Sequence, residues 1–240
     1  VLTREELIAA IVVRRGLGHV GDALRSGWGT LLKPLAWQGD LAFGPSQGNR
    51  VTFTLPDSAS ARWAGLPEPE AAAPTAIAAY LGAYGPATFE QFGHWLAGGW
   101  LGKKQLRVWF HELGPRLAEV DVDGDRRYIL AKDLDELAST RPTRTVRLLP
   151  GFDQYVMGPG TRDGHVTPVK RRSAVSKQAG WISPVVLSGG VVRGTWDIDG
   201  HAARVTWFSE GGPVPQPALR AEVKRLATIL DRDLELQVTR

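Results

Sequence analysis

The chain has 240 residues, 43% hydrophobic and 22% charged, with no cysteine, an ordinary globular composition for one or two domains. It excludes a disordered or collagen-like chain, disulfide staples and thiolate zinc sites, and no stretch approaches the ~18 consecutive apolar residues of a membrane span. The net charge of +4 is unevenly spread: between positions 141 and 177, eight basic residues (Arg141, Arg144, Arg147, Arg162, Lys170, Arg171, Arg172, Lys177) meet only Asp153 and Asp163, a local +6 that leaves −2 for the rest. Such a one-signed patch suits a polyanion, because each neutralised phosphate releases a counterion; a solvated basic loop is the plainer alternative.

Taken in chain order, Thr3-Arg4-Glu5-Glu6 is a Ser/Thr-x-x-Glu capping box that leads into the helical spacing of Leu7, Ile8, Ile11 and Val12. A glycine turn leads to a second helical stretch over 20–37. Strands at 41–43 and 51–54 then flank the turn-rich segment 44–49. Residues 66–73, with Pro67, Pro69 and three alanines, read as a linker, and 74–84 as a helix ended by Gly85-Pro86.

The same order of signals then returns. Thr88-Phe89-Glu90-Gln91 caps a helix carrying Phe92, Trp95 and Leu96. A glycine turn precedes a helix over 103–113, and strands at 117–120 and 127–130 flank Asp123-Gly124, a strong hairpin turn pair. Helix, turn, helix, hairpin, twice over, is the order of a winged helix. The first copy has no room for a counterpart of helix 74–84. That gap, together with a start at Val1 and a single methionine, Met157, points to the C-terminal part of a longer protein.

From 141 onward the pattern turns to strands: 146–149, 154–157, 183–187, 191–196 and 203–208, with Gly189-Gly190 and Asp199-Gly200 as hairpin turns. A strand opened by Gly180-Trp181 is part of this reading. An amphipathic helix after Pro217 presents Leu219, Val223, Leu226, Ile229 and Leu230 on one face, and 234–238 closes the sheet. The expected fold is α+β, with winged-helix modules at 1–66 and 74–140 and a β-rich α+β module at 141–240.

Several chemistries find little support. The five histidines include no i,i+4 pair, so no metal site is expected. Asp121-Val122-Asp123-Gly124-Asp125 is similar to a calcium loop, but its glycine comes two places early and Lys132 stands where the bidentate glutamate belongs; it reads as a wing turn. Segment 98–104 is one residue short of a phosphate loop and lacks the following Ser/Thr, and no Gly-x-Ser-x-Gly elbow occurs. Gln38-Gly39-Asp40 offers an amide and a carboxylate that can position water, although the glycine before an approaching strand makes a turn the stronger reading.

The candidate chemistry is nucleic-acid binding. Lys103, Lys104, Gln105 and Arg107 open the second copy's second helix, where a winged helix presents its recognition face. Lysine and arginine there reach phosphates, and glutamine pairs with adenine. Arg126 and Arg127 lie on the wing. Lys170, Arg171, Arg172 and Lys177 form a basic loop that could enter a minor groove. The first copy offers only Arg25 and Lys33, with Trp28 and Trp37 expected in its core, and looks more like scaffold than reader.

The blocks Lys33-Pro34-Leu35-Ala36-Trp37-Gln38-Gly39-Asp40-Leu41-Ala42-Phe43-Gly44-Pro45 and Val51-Thr52-Phe53 resemble the winged-helix DNA-glycosylase family that contains the azinomycin-resistance glycosylase. So do Leu148-Leu149-Pro150-Gly151-Phe152-Asp153, Gly180-Trp181-Ile182-Ser183-Pro184-Val185-Val186-Leu187 and Val192-Arg193-Gly194-Thr195-Trp196, in the family's order over almost the whole chain. The resemblance implies tandem winged helices on duplex DNA and metal-independent excision of bulky alkylated or crosslinked purines. The family's catalytic Gln-x-Gln or Gln-x-Asp motif lies near the N-terminus of its full-length members and has no counterpart here. Gln38-Gly39-Asp40 matches its spelling in a different block, so the role is not transferred and the catalytic residues stay unassigned. The expected partner is duplex DNA, bound by a monomer without metal or small-molecule cofactor, away from membranes, in a cytoplasmic, nucleoid-associated setting. The alternatives are a non-enzymatic winged-helix regulator and a protein-interaction module.

Overall fold

The computed structural model describes residues 1–26 and 29–240, so the expectation for Trp28 lies outside the described residues. The chain forms two compact units, Val1–Pro69 and Glu70–Arg240.

In the first unit a two-residue strand β1 (Leu2–Thr3) enters helix α1 (Arg4–Val12) through a complete capping box. The Glu6 amide donates to Thr3 Oγ1 at 3.3 Å, and the Thr3 amide donates to the Glu6 carboxylate at 2.8 Å, satisfying two donors that a helix start leaves orphaned. The stretch expected as one helix over 20–37 is broken. A 3-10 turn (Gly18–Val20) and α2 (Gly21–Arg25) precede α3 (Leu32–Trp37), because Ser26 leaves helical geometry with ψ 126° and Gly29 takes φ +62°. The hairpin strands β2 (Ala42–Gln47) and β3 (Arg50–Thr54) run further into the turn segment than their composition suggests and reverse at Gly48-Asn49. A register shift between Gly44 and Gln47 absorbs the extra length, with the Thr52 hydroxyl donating to the Pro45 carbonyl at 2.7 Å. β1 joins β3 to give the order β1-β3-β2, and a short α4 (Pro56–Ala59) follows. Ile8, Leu24, Leu32 and Phe53 make the core. Trp37 is not part of it: at 73% exposure it sits five residues beyond Leu32, about 140° around the helix from the buried face.

Helix α5 (Pro69–Tyr84) starts on the last residue of the first unit and opens the second, so the segment expected as linker is already helical from residue 69. Proline at the first helical position is pre-set for the turn, and the alanines that follow favour helix. α6 (Phe89–Ala97) is capped by Thr88 and Gln91 in a second complete box and ends on Gly98 in the left-handed region; α7 (Lys103–Glu112) follows. Strands β4 (Leu117–Val122) and β5 (Asp125–Leu130) reverse at Asp123 and Gly124, with φ of 54° and 89°, the doubly positive turn that matches strand twist. Ile77, Tyr80, Phe92, Leu106, Trp109 and Phe110 are central to the core between these elements.

After α8 (Leu134–Ser139) comes a five-stranded sheet of β6 (Val146–Leu149), β7 (Val185–Ser188), β8 (Val191–Asp199), β9 (Ala202–Trp207) and β10 (Glu235–Thr239), in the order β10-β9-β8-β7-β6. Segment 154–157, expected as a strand, is instead the helical turn α9 (Gln154–Met157), because the Asp153 carboxylate accepts the Tyr155 amide at 2.8 Å and caps it. Residues 181–184 are not strand either. Gly180 has φ +75° and Pro184 has no amide to offer a ladder, so β7 starts at Val185. Between these segments lie a 3-10 turn (Val169–Arg171) and α10 (Arg172–Val175). α11 (Gln216–Leu230) packs Leu219 and Val223 on Val146, Leu148, Val186 and Val205 and returns the chain so that β10 pairs parallel to β9. Ile229 and Leu230 of its expected apolar face are exposed. The fold class is α+β. Among the described residues no helix is long and apolar enough to cross a membrane.

Candidate nucleic-acid interface

The apolar spacing of α7 turns Leu106, Trp109 and Phe110 inward and leaves Lys103, Lys104 and Arg107 exposed, with Gln105 half-buried. Lys103 Nζ stands 3.4 Å from the Glu90 carboxylate of α6, and the Arg107 guanidinium lies 5.3 Å from the Phe89 ring centroid. The Lys103–Glu90 pair is exposed, and the Arg107 guanidinium is exposed over a half-buried ring, so both cations are cheap to exchange for a phosphate. The turn between α6 and α7 carries Trp100 at 93% exposure. Residue type alone would have placed this tryptophan in the core; the only local hint was the glycine pair before it.

The two hairpin arginines separate, since neighbours on a strand face opposite sides. Arg126 is exposed, with its Nε 3.3 Å from the Glu119 carboxylate. Arg127 is 7% exposed and cannot serve as the phosphate contact expected for it. Its two terminal nitrogens donate to the two Asp163 oxygens at 2.8 and 3.2 Å, and one lies 2.8 Å from His165 Nδ1. Asp163 further accepts from Gln91 Nε2 at 2.8 Å and from the His165 amide at 3.0 Å. Burial alone would raise the Asp163 pKa; the hydrogen bonds from Arg127, the His165 amide and Gln91, with the guanidinium charge, outweigh it and hold the carboxyl down to about 2. His165 Nδ1 also lies 3.1 Å from Asp163 Oδ1, and Nε2 lies 3.4 Å from the Asp123 carboxylate, so the ring bridges the hairpin turn and the buried pair. The Tyr80 hydroxyl adds a donation to the Gly158 carbonyl at 3.1 Å, and burial pushes its pKa up. These contacts fasten the hairpin and α6 to the loop at 158–165.

The basic loop divides in the same way. Lys170, Arg172 and Lys177 are exposed. Arg171 is engaged within the chain instead of being free for a groove: it donates to both Glu210 oxygens at 2.7 Å and to the Ser209 hydroxyl at 3.0 Å, and stacks 4.7 Å from the Phe208 centroid. Arg171, first among the causes, holds the Glu210 carboxyl down to about 2.

A cleft of about 1030 Å³ runs through this unit. One wall carries Thr88, Trp95 and Lys103, and the facing loops carry Arg162, Arg172 and Gly180. The lining thus brings the cations Lys103, Arg162 and Arg172 together with the Trp95 ring, beside the carboxylates of Glu90, Asp125 and Asp163; cations next to an aromatic ring are the combination that tracks a nucleic-acid backbone. In the other unit, Gln38-Gly39-Asp40 is a turn: Gln38 closes α3 and Gly39 takes φ +75°. Among the described residues, no group of three His, Asp or Glu side chains is placed to hold a metal ion.

The α+β fold with its cation-bearing cleft is accompanied by a family match: the family described as DNA glycosylase AlkZ-like matches residues 2–229. The chain belongs to that family. It is 49% identical over 228 residues to the interstrand DNA cross-link repair glycosylase of Streptomyces sahachiroi, a match covering 95% of this chain and 62% of the relative. The solved structure of Streptomyces sahachiroi DNA glycosylase AlkZ superposes with a TM-score of 0.90 at 46% identity, covering 99% of this chain and 65% of that one. The chain therefore spans less than two thirds of the length of either.

Proposed function

We propose that this chain grips duplex DNA as part of a protein that excises bulky alkylated or crosslinked purines. The observation that supports this best is the set of unburied cations, Lys103, Lys104, Arg162, Lys170, Arg172 and Lys177, clustered on α7 and on the loops at 162–177 of an AlkZ-like chain. Modules 1–66 and 74–140 are read as winged helices and 141–240 as the module that completes the grip. Gln105 is the candidate base-reading side chain, with Arg107 and Arg126 in support at the phosphates. Excision in the whole protein would hydrolyse an N-glycosidic bond by stabilising a cationic sugar and activating water. No residue of this chain is assigned to that step, and the reading calls for no metal or small-molecule cofactor. A monomer acting at the nucleoid fits a tandem arrangement that needs no twofold partner.

The test is binding to labelled duplex, intact and with a single abasic site, across a salt series. Each phosphate contact contributes about −0.9 to the slope of log affinity against log salt, so Lys103→Ala with Lys104→Ala should flatten it by nearly 2. If Lys103, Lys104, Lys170 and Arg172 can all become alanine without loss of duplex affinity, the proposed surface is wrong. Failure of the full-length protein to release any alkylated purine would refute the excision step.

A further inference from the structure

On the segments that follow β6 and α10, Phe152 and Trp181 form an exposed aromatic pair. Their centroids lie 5.0 Å apart and their planes cross at 82°, an edge-to-face arrangement in which the edge of one ring meets the face of the other. Phe152 is 37% exposed and Trp181 53%. Both rings are held on fixed backbone. Asp153 caps α9 directly after Phe152, and the Lys177 amide donates to the Trp181 carbonyl at 2.8 Å. Ile182, next in the chain, is buried and bridges to Ser176.

The backbone at this pair is unusual. Phe152 has φ +61°, a left-handed conformation that a residue with a β-carbon adopts at a strain cost. Its neighbour Gly151 is needed for room, since a β-carbon there would come 2.9 Å from the Ile182 carbonyl oxygen. The chain thus places glycine where space demands it and accepts strain at the next position to keep a phenyl ring on the surface. Burial accounts for that choice only in part, because more than a third of the residue stays exposed.

The surroundings indicate what the rings meet. Gly180 and Ile182, on either side of Trp181, both line the cleft with Arg162 and Arg172, and Lys177 is tied to Trp181 through its backbone. Partly exposed aromatic rings on a backbone that borders a cation-bearing cleft are suited to nucleobase stacking beside phosphates. Resting on the DNA-binding reading above, we propose that Phe152 and Trp181 are a stacking wedge that packs against a nucleobase exposed where the duplex has lost a stacking neighbour, as at an abasic site or beside an extruded nucleotide.

The test uses Phe152→Gly, which suits the positive φ, and Trp181→Leu at an exposed position, each checked for an unchanged far-UV circular dichroism spectrum. Affinities are measured for intact duplex and for duplex with one abasic site flanked by 2-aminopurine. The wild-type chain should favour the abasic duplex by about tenfold and quench the 2-aminopurine; each variant should lose most of that preference and quenching while its affinity for intact duplex stays within about twofold. Preference and quenching that survive in both variants, or a wild-type chain that binds the two duplexes equally, would overturn the wedge and leave the DNA-binding reading standing. A wild-type chain that binds neither duplex at low salt would overturn both.

Discussion

Replacing Asp163 with asparagine removes the negative charge from a carboxyl group whose side chain is 3% exposed and leaves the Arg127 guanidinium, 8% exposed, without its bidentate partner. The nearest remaining carboxylate, Asp125, lies 3.8 Å away on an exposed side chain and screens it poorly. The Asp163 pKa falls from 3.8 to about 2 on folding, which at 1.36 kcal/mol per unit corresponds to about 2 kcal/mol of stability at neutral pH. Breaking a buried pair at one end costs about 3–5 kcal/mol; asparagine keeps one oxygen to accept the Gln91 or His165 donor, so a loss of about 3 kcal/mol is expected. The folded-state pKa is depressed, so the contribution is complete above the unfolded value near 4 and is lost as pH falls toward 2. Urea unfolding of wild type and Asp163→Asn, followed by circular dichroism and by exchange protection of the Tyr128 amide, should show a gap at pH 7 that narrows between about pH 4 and pH 2. A loss below about 1 kcal/mol at pH 7, or a gap that does not change with acid, would refute the account of the Arg127–Asp163 joint.

The remaining predictions concern charge and packing. Arg171→Ala should lower the melting temperature without changing the salt slope of DNA binding, because Arg171 is occupied by Glu210 and Phe208; Arg172→Ala should do the reverse, and matching effects of the two would contradict the division. Gly194→Ala would place a β-carbon 2.5 Å from the Thr206 carbonyl oxygen of β9. Backbone cannot yield as a side-chain tip can, so thermal or urea unfolding should report a loss of about 1–3 kcal/mol or more, and a neutral result would mean that β8 and β9 separate more easily than their pairing suggests.

What the amino-acid sequence determined by itself is local. The capping boxes at Thr3 and Thr88 and the turn at Asp123-Gly124 were legible because each depends on residues within about four positions of one another. The capped helices α1 and α6, the hairpins β2–β3 and β4–β5 and the strands β6, β8 and β9 followed from period and turn chemistry, and the family blocks carried the membership. The errors came where a short-range signal competed with the pattern, as when the Asp153 cap made 154–157 helical and Ser26 and Gly29 broke 20–37. Only the tertiary structure decided the roles of like-charged neighbours. Arg126 and Arg127 are chemically the same residue, as are Arg171 and Arg172; which one turns inward depends on Asp163, 36 positions away, and on Glu210, 39 positions away. The exposure of Trp37, Trp100 and the Phe152–Trp181 pair was hidden for the same reason, since hydrophobicity predicts burial and only the packed chain shows which apolar rings have no neighbour to cover them.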